Sequence, residues 1–124
     1  RASPAKDAKT KVIFISKNNF AIFDVSNVIR YYDSYIRLQK TEQLWKGFFV
    51  KKIPWEVQKI GRRKLRILHN AVDLKDLRIP PSNQLEKLLG NLKGYYSIRI
   101  NKQWRIIFEW NRGNATQVEI VDYH

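Results

Sequence analysis

One domain of ordinary size fits in 124 residues, and a hydrophobic content of 44% is enough for its core. Lysine and arginine number 24 against 11 acidic residues, a net charge of +13. That excess draws polyanions, so nucleic acid ranks ahead of an acidic protein or an anionic membrane as the partner. Cysteine is absent, which excludes disulfides and thiolate metal sites, and no apolar run nears membrane-spanning length. The expected setting is cytoplasmic, with no membrane partner.

Residues 1–11, RASPAKDAKTK, are small, polar and charged and predict disorder. VIFIS and FAIFDV flank Lys17-Asn18-Asn19 and read as a hairpin. Ser26 suits the cap of a short turn through NVIRYYD. YIRLQ (35–39) sets Ile36 and Leu38 on one face and reads as a strand, and TEQLWKGF as a short helix capped by Thr41. A longer helix is predicted over roughly 53–72, with Pro54 in its first turn. Val57, Ile60, Lys64, Ile67, Leu68 and Ala71 share its inner face, and Gly61 permits close approach to a neighbour.

Residues 73–94 read as a connection of local turns, because Pro80-Pro81 rule out helix and Gly90 and Gly94 bracket a turn. Three strands finish the chain: YYSIRI (95–100), WRIIFEW (104–110) and VEIVDYH (118–124), joined by Asn101-Lys102-Gln103 and NRGNAT. A three-residue loop pairs Ile100 with Trp104, Ile98 with Ile106 and Tyr96 with Phe108. These make one apolar face, extended by Val118 and Ile120, on which helices should pack. The other face then carries Arg99, Arg105, Glu109 and Tyr123. The plain alternative is a solvated sheet face with one arginine–glutamate pair.

Lys59, Arg62, Arg63 and Arg66 recur at i, i+3, i+4 and i+7 along the long helix, with Lys51 and Lys52 just before it. Such a stripe can track a phosphate backbone, arginine giving forked contacts to phosphate oxygens. The commoner alternative is the solvated side of an amphipathic helix. No acidic residue stands four positions on along that face, which favours a polyanion. His69, alone near the same face, reads as structural.

The segments DLRIPP, KGYYSIRINKQWRIIF and the terminal VDYH, within the stretch from Tyr35 to His124, resemble the HigB-type toxins of the RelE superfamily. The resemblance implies an α+β fold of order β-α-α-β-β-β, an antiparallel sheet with two helices on one face, over residues 35–124, preceded by an N-terminal extension, 1–34. It also implies an endoribonuclease that enters the ribosome and cuts the messenger RNA being translated. Its partners would be the ribosome, messenger RNA and a HigA-like helix-turn-helix antitoxin, with operator DNA reached only through the antitoxin. The family's functional arginine falls on Arg105, and its terminal acid, tyrosine and histidine on Asp122, Tyr123 and His124. The chain departs from the family at Glu86, where some members have histidine, at Leu89, where many have lysine, at Asn91-Leu92, often Asp-Arg, and at Gln84, often arginine.

Cleaving RNA without a metal requires the 2′-hydroxyl to attack the adjacent phosphorus. Arg105, permanently charged and forked, suits the phosphorane. His124 suits proton transfer, its imidazolium form favoured by Asp122 and by a terminal carboxylate. Tyr123 can orient the hydroxyl or stack on a base. Asp122 suits an orienting role, and Glu86 is a candidate base if its loop folds over the sheet. Lys52, Lys59, Arg62, Arg63, Arg66, Lys93 and Arg99 are the candidate RNA contacts. No clustered ligands suggest a metal, and no cofactor is expected. A serine-based triad is not expected, since Ser97 sits in a strand with no reason to meet a histidine. A non-catalytic reading stays open: a relative that inhibits by binding, as gyrase-targeting members of the superfamily do, or a basic nucleic-acid-binding module.

Overall fold

A computed structural model describes Val12–Ile13 and residues 25–123. The regular elements are β1 (Val12–Ile13), α1 (Val25–Trp45), α2 (Trp55–Asn70), β2 (Glu86–Lys87), β3 (Tyr95–Arg99), β4 (Trp104–Asn111) and β5 (Asn114–Asp122). Three short 3-10 turns lie between α2 and β3. The sheet order is β1-β5-β4-β3-β2, with β2 to β5 antiparallel and β1 parallel to β5. The fold class is α+β, as expected.

The apolar alternation of the last strands sets the register. Tyr96 faces Phe108 and Ile98 faces Ile106, the predicted pairs, and Ile106 faces Ile120 across β5. Ile98, Ile106, Phe108 and Val118 are fully buried, packed with Leu65 and Leu68 of α2. The turn between β3 and β4 is held by the Asn101 side-chain oxygen, which accepts from the N–H groups of Gln103 and Trp104, each at 2.8 Å.

Gly61 serves the close approach expected of it. A Cβ there would stand 3.3 Å from Ile120 Cδ1 and 3.4 Å from Ile100 Cδ1, so α2 sits against the sheet at a distance that larger side chains would prevent. Gln58 is buried beside it. Its amide donates to the carbonyls of Val50 and Ile53, both at 2.7 Å, and its oxygen accepts from the Val50 N–H at 3.0 Å. Lys64, on the same inner face, donates to the Asn83 side-chain oxygen, while the Asn83 amide donates to the carbonyls of Leu77 and Ile79. Burial, and then the neighbouring Arg63, push the Lys64 ammonium below its ordinary pKa of 10.5.

Four expectations are corrected. Residues 35–39 are not a strand, and 27–33 are not a short turn: α1 runs through both without a break. The reason is spacing. Leu38, Thr41 and Leu44 are buried, with Ser34, Arg37 and Trp45 half-buried, a stripe at intervals of three and four. The Ile36/Leu38 alternation is too short to outweigh it. The helix read over TEQLWKGF is therefore the end of α1, which stops at Trp45. The division at residue 34 falls inside this helix. The last strand begins at Asn114, four residues earlier than expected, because Arg112 (φ 51°) and Gly113 (φ 82°) close a two-residue hairpin between Asn111 and Asn114. A bulge at Gln117 (φ 53°) then resets the alternation. Ala115, Val118 and Ile120 consequently all reach the core.

Of the predicted hairpin over 12–25, only Val12–Ile13 is described before the helix begins, as the short strand β1 beside β5; the rest, like the disorder expected over 1–11, lies outside the described residues. Helix α1 also reaches past the edge of β5. Thr41 Oγ1 accepts from the Ile120 N–H at 2.9 Å. Beyond that edge Ser34 and Arg37 donate to the two carboxylate oxygens of Glu119, each at 2.7 Å. Glu119 is almost wholly buried, and a buried charge of this kind is retained only when paired.

Candidate active site on the outer sheet face

The side of β4 turned away from α2 carries Arg105, which is only 7% exposed. In the β3–β4 register Arg99 pairs with Arg105 and Ser97 with Ile107, so Ser97 is the diagonal neighbour of Arg105 on the same face. Arg105 Nε donates to Ser97 Oγ at 2.8 Å. Its Nη2 donates to the Gln84 carbonyl at 2.6 Å and lies 3.6 Å from Glu86 Oε1. The Arg105 guanidinium carbon stands 5.9 Å from the centre of the Tyr123 ring, within cation–π range.

Each neighbour is set in place by its own element. Gln84 adopts a left-handed conformation (φ 44°, ψ 59°) at the end of the Pro81–Asn83 turn, and its carbonyl is the one Arg105 takes. Buried Asn83 anchors that turn to Lys64 of α2. Strand β2 pairs Glu86 with Ser97 at the edge of the sheet, so Glu86 approaches Arg105 from beside β3 and not from a loop laid over the sheet. Its carboxylate remains exposed to solvent.

The result is an arginine fastened on one side. Nε and Nη2 are engaged, and the two Nη1 hydrogens have no hydrogen-bond partner among the described residues. A guanidinium held this way is pre-oriented for an anion and needs little rearrangement to receive it.

Of the sequence-predicted residues, the structure brings together Arg105, Glu86 and Tyr123, with Arg99 half-buried alongside in β3. Asp122 pairs with Trp104, which puts it on the opposite side of the strand from Arg105, and its Oδ1 accepts from Gln103 Nε2 at 3.0 Å. His124 lies outside the described residues. Lys93 is exposed in the loop before β3.

The helical stripe divides. Lys59, Arg63 and Arg66 are exposed, and Arg63 and Arg66 border an open cleft with Asn70 and Asp76. Arg62 instead donates from Nε to the Leu44 carbonyl at 3.1 Å, which also accepts from the Gly47 N–H, and so ties α2 to the end of α1. His69 packs its ring against Trp45 at 5.1 Å, in keeping with a structural role. Two partners of Arg105 were missed by sequence reasoning. Ser97 was legible, because the predicted register already placed it diagonal to Arg105. The Gln84 carbonyl was not, since backbone contacts leave no side-chain pattern.

Residues 40–124 match the family model described as the RelE-like toxin of type II toxin–antitoxin system HigB. The chain belongs to that family. Toxin HigB-1 of Vibrio cholerae is 54% identical over 63 residues, 51% of this chain and 66% of the relative. An uncharacterized protein of Haemophilus influenzae is 37% identical over 67 residues, 54% of this chain and 66% of that protein. Endoribonuclease HigB of Proteus vulgaris is 32% identical over 69 residues, 56% of this chain and 73% of the relative. The first two matches thus span just under two thirds of those relatives' lengths. The family is described as one of type II toxins, and no described helix of this chain is long and apolar enough to cross a membrane.

Proposed function

We propose that this HigB-family toxin is a metal-independent endoribonuclease that cuts messenger RNA during translation on the ribosome, in the cytoplasm. The observation that carries the reading is Arg105: a nearly buried cation tied to Ser97 and Gln84, with Glu86 and Tyr123 beside it. One relative is named an endoribonuclease, which points the same way.

In this reading the scissile phosphate meets Arg105 Nη1. The 2′-hydroxyl gives its proton to Glu86 and attacks phosphorus. Charge building on the phosphorane oxygens is met by a guanidinium that is already oriented. The leaving 5′-oxygen takes a proton from His124. Tyr123, exposed and beside Arg105, stacks on a neighbouring base. Asp122, bonded to Gln103, steadies the end of β5 instead of meeting the phosphate. Lys52, Lys59, Arg63, Arg66, Lys93 and Arg99 supply phosphate contacts. Neutralisation falls to a HigA-like helix-turn-helix antitoxin, through which operator DNA is reached.

The test is cleavage of a defined message in a translation reaction. Arg105→Ala should cut about 10²–10³-fold more slowly, the usual cost of removing a fixed oxyanion donor. His124→Ala should lose about 10²–10⁴-fold, as for a general acid. Circular dichroism serves as the folding control. Cleavage by Arg105→Ala at the wild-type rate would sink the assignment. One observation favours a second reading, inhibition by binding alone: Leu89 is 79% exposed where many members present lysine. Growth arrest that persists in Arg105→Ala with no cut message would select it.

A further inference from the structure

The loop joining α1 to α2 displays more apolar surface than folding requires. Phe48 is 60% exposed, Phe49 66% and Trp55 54%, while Val50 and Ile53 between them are buried. The loop therefore had apolar side chains to spare after filling the core. Isolated exposed aromatics are ordinary, but three within eight residues form a patch that marks an interaction surface.

The patch is built rigidly. Gln58 bonds both the N–H and the carbonyl of Val50 and also the carbonyl of Ile53. Lys52 sits in the left-handed region at φ 72°, a conformation kept only where surrounding structure over-determines it. The rings of Phe49 and Trp55 have centroids 6.5 Å apart and planes 31° from parallel. The two exposed rings therefore form one compact aromatic surface on which an unpaired base can stack.

The charge around the rings says what they face. Lys51 and Lys52 are exposed in the same loop with no carboxylate paired to them among the described residues, while Lys46 is paired with Glu42 at 3.5 Å and Glu56 follows Trp55. Planar apolar surfaces alternating with ammonium groups fit a ligand that is itself alternately planar and anionic, which is an unpaired nucleic-acid strand. We propose that this loop is a second RNA-contact surface, with Phe49 and Trp55 stacking on an unpaired base of single-stranded RNA, and Lys51 and Lys52 holding the neighbouring phosphates. It deepens the nuclease reading, since it gives the toxin a hold on RNA through the helical side while Arg105 lies on the other side of the sheet.

The experiment is fluorescence anisotropy of a labelled, 2′-O-methylated single-stranded dodecamer titrated with the full chain, so that binding is read without cleavage. A Phe49→Ser/Trp55→Ser variant should bind about 5- to 100-fold more weakly, the range for losing aromatic stacking on a base. Trp55→Phe, which keeps a ring, should bind close to wild type. Lys51→Gln/Lys52→Gln should lower the slope of log affinity against log salt by about 1.4, since each single-strand phosphate contact contributes about 0.7. All the altered side chains are exposed, so thermal melts should be unchanged. Wild-type binding by the double-serine variant would overturn the proposal, and so would a loss confined to complex formation with an acidic protein partner. Cleavage by the unaltered chain separates the two readings. If it cuts no message in a translation reaction while oligonucleotide binding still needs Phe49 and Trp55, the nuclease reading fails and this one stands.

Discussion

Replacing Gln58 by Met tests whether one side chain holds the turn between the helices. Gln58 is fully buried, and methionine nearly matches its length and shape, so packing is roughly preserved while three hydrogen bonds are lost. The bonds are those to the Val50 N–H, the Val50 carbonyl and the Ile53 carbonyl. Each is worth about 0.5–1.5 kcal/mol net, and a buried group left without a partner costs about 1–3 kcal/mol. Some of the stranded backbone groups will recover water, so a loss of about 3 kcal/mol is expected, a large share of the ~5–15 kcal/mol typical of a domain. Gln58→Glu should be no better, because it keeps an acceptor for Val50 N–H but sets a carboxylate against two carbonyls. The assay is urea denaturation followed by circular dichroism. A Gln58→Met midpoint corresponding to less than about 1 kcal/mol, with unchanged slope, would refute the reasoning. It would mean that the turn is held by Val50 and Ile53 burial alone.

Three further outcomes are expected. Arg62→Ala should cost about 1 kcal/mol of stability by removing one of the two donors to the Leu44 carbonyl, the other being the Gly47 N–H, whereas exposed Arg63→Ala should leave the urea midpoint unchanged and weaken RNA association in a salt-sensitive way. Lys64 has a folded pKa held below its ordinary 10.5 by burial and Arg63, so the unfolded chain binds that proton more tightly. Wild-type stability should then rise relative to Lys64→Met as pH climbs from the folded value toward 10.5, and a flat difference in urea midpoints over that range would contradict it. A chain starting at Ser34 keeps Ser34, Arg37, Leu38, Thr41 and Leu44, the side chains that dock α1 on β5, and should fold with a lowered melting temperature; no cooperative melt would mean that residues 1–33 are integral to the domain.

What could be read in advance follows from how long each pattern runs. The β3–β4 pairing was legible because Tyr96, Ile98, Ile106 and Phe108 alternate over two strands and a short loop, leaving one register that buries them all. Residues 35–39 offered five positions, too few to tell a period of two from one of 3.6. The decision lay further on, where Thr41 and Leu44 continue the helical interval. The same β3–β4 register put Arg105 on the sheet face away from α2, where it lies, whereas Glu86 stands in edge strand β2 and not in a loop over the sheet. The partnership of Asp122 with Gln103 was not anticipated, because a terminal triplet says nothing about which side of a strand each member takes until the pairing of Trp104 with Asp122 is known. The burial of Glu119 under Ser34 and Arg37 was equally hidden, since those residues lie more than eighty positions apart.

Thr41 has a consequence for how this toxin can be captured. Its hydroxyl occupies the Ile120 N–H on the outer edge of β5, and β1 occupies the same edge opposite Ala115 and Thr116. An incoming peptide that tried to lengthen the sheet there would find the ladder already taken at both places. The opposite rim is β2, only two residues long and bearing Glu86 and Lys87, a poor template for strand addition. An inhibitor therefore gains little by adding a strand to β5 or β2, and at those places side chains are what it has to cover.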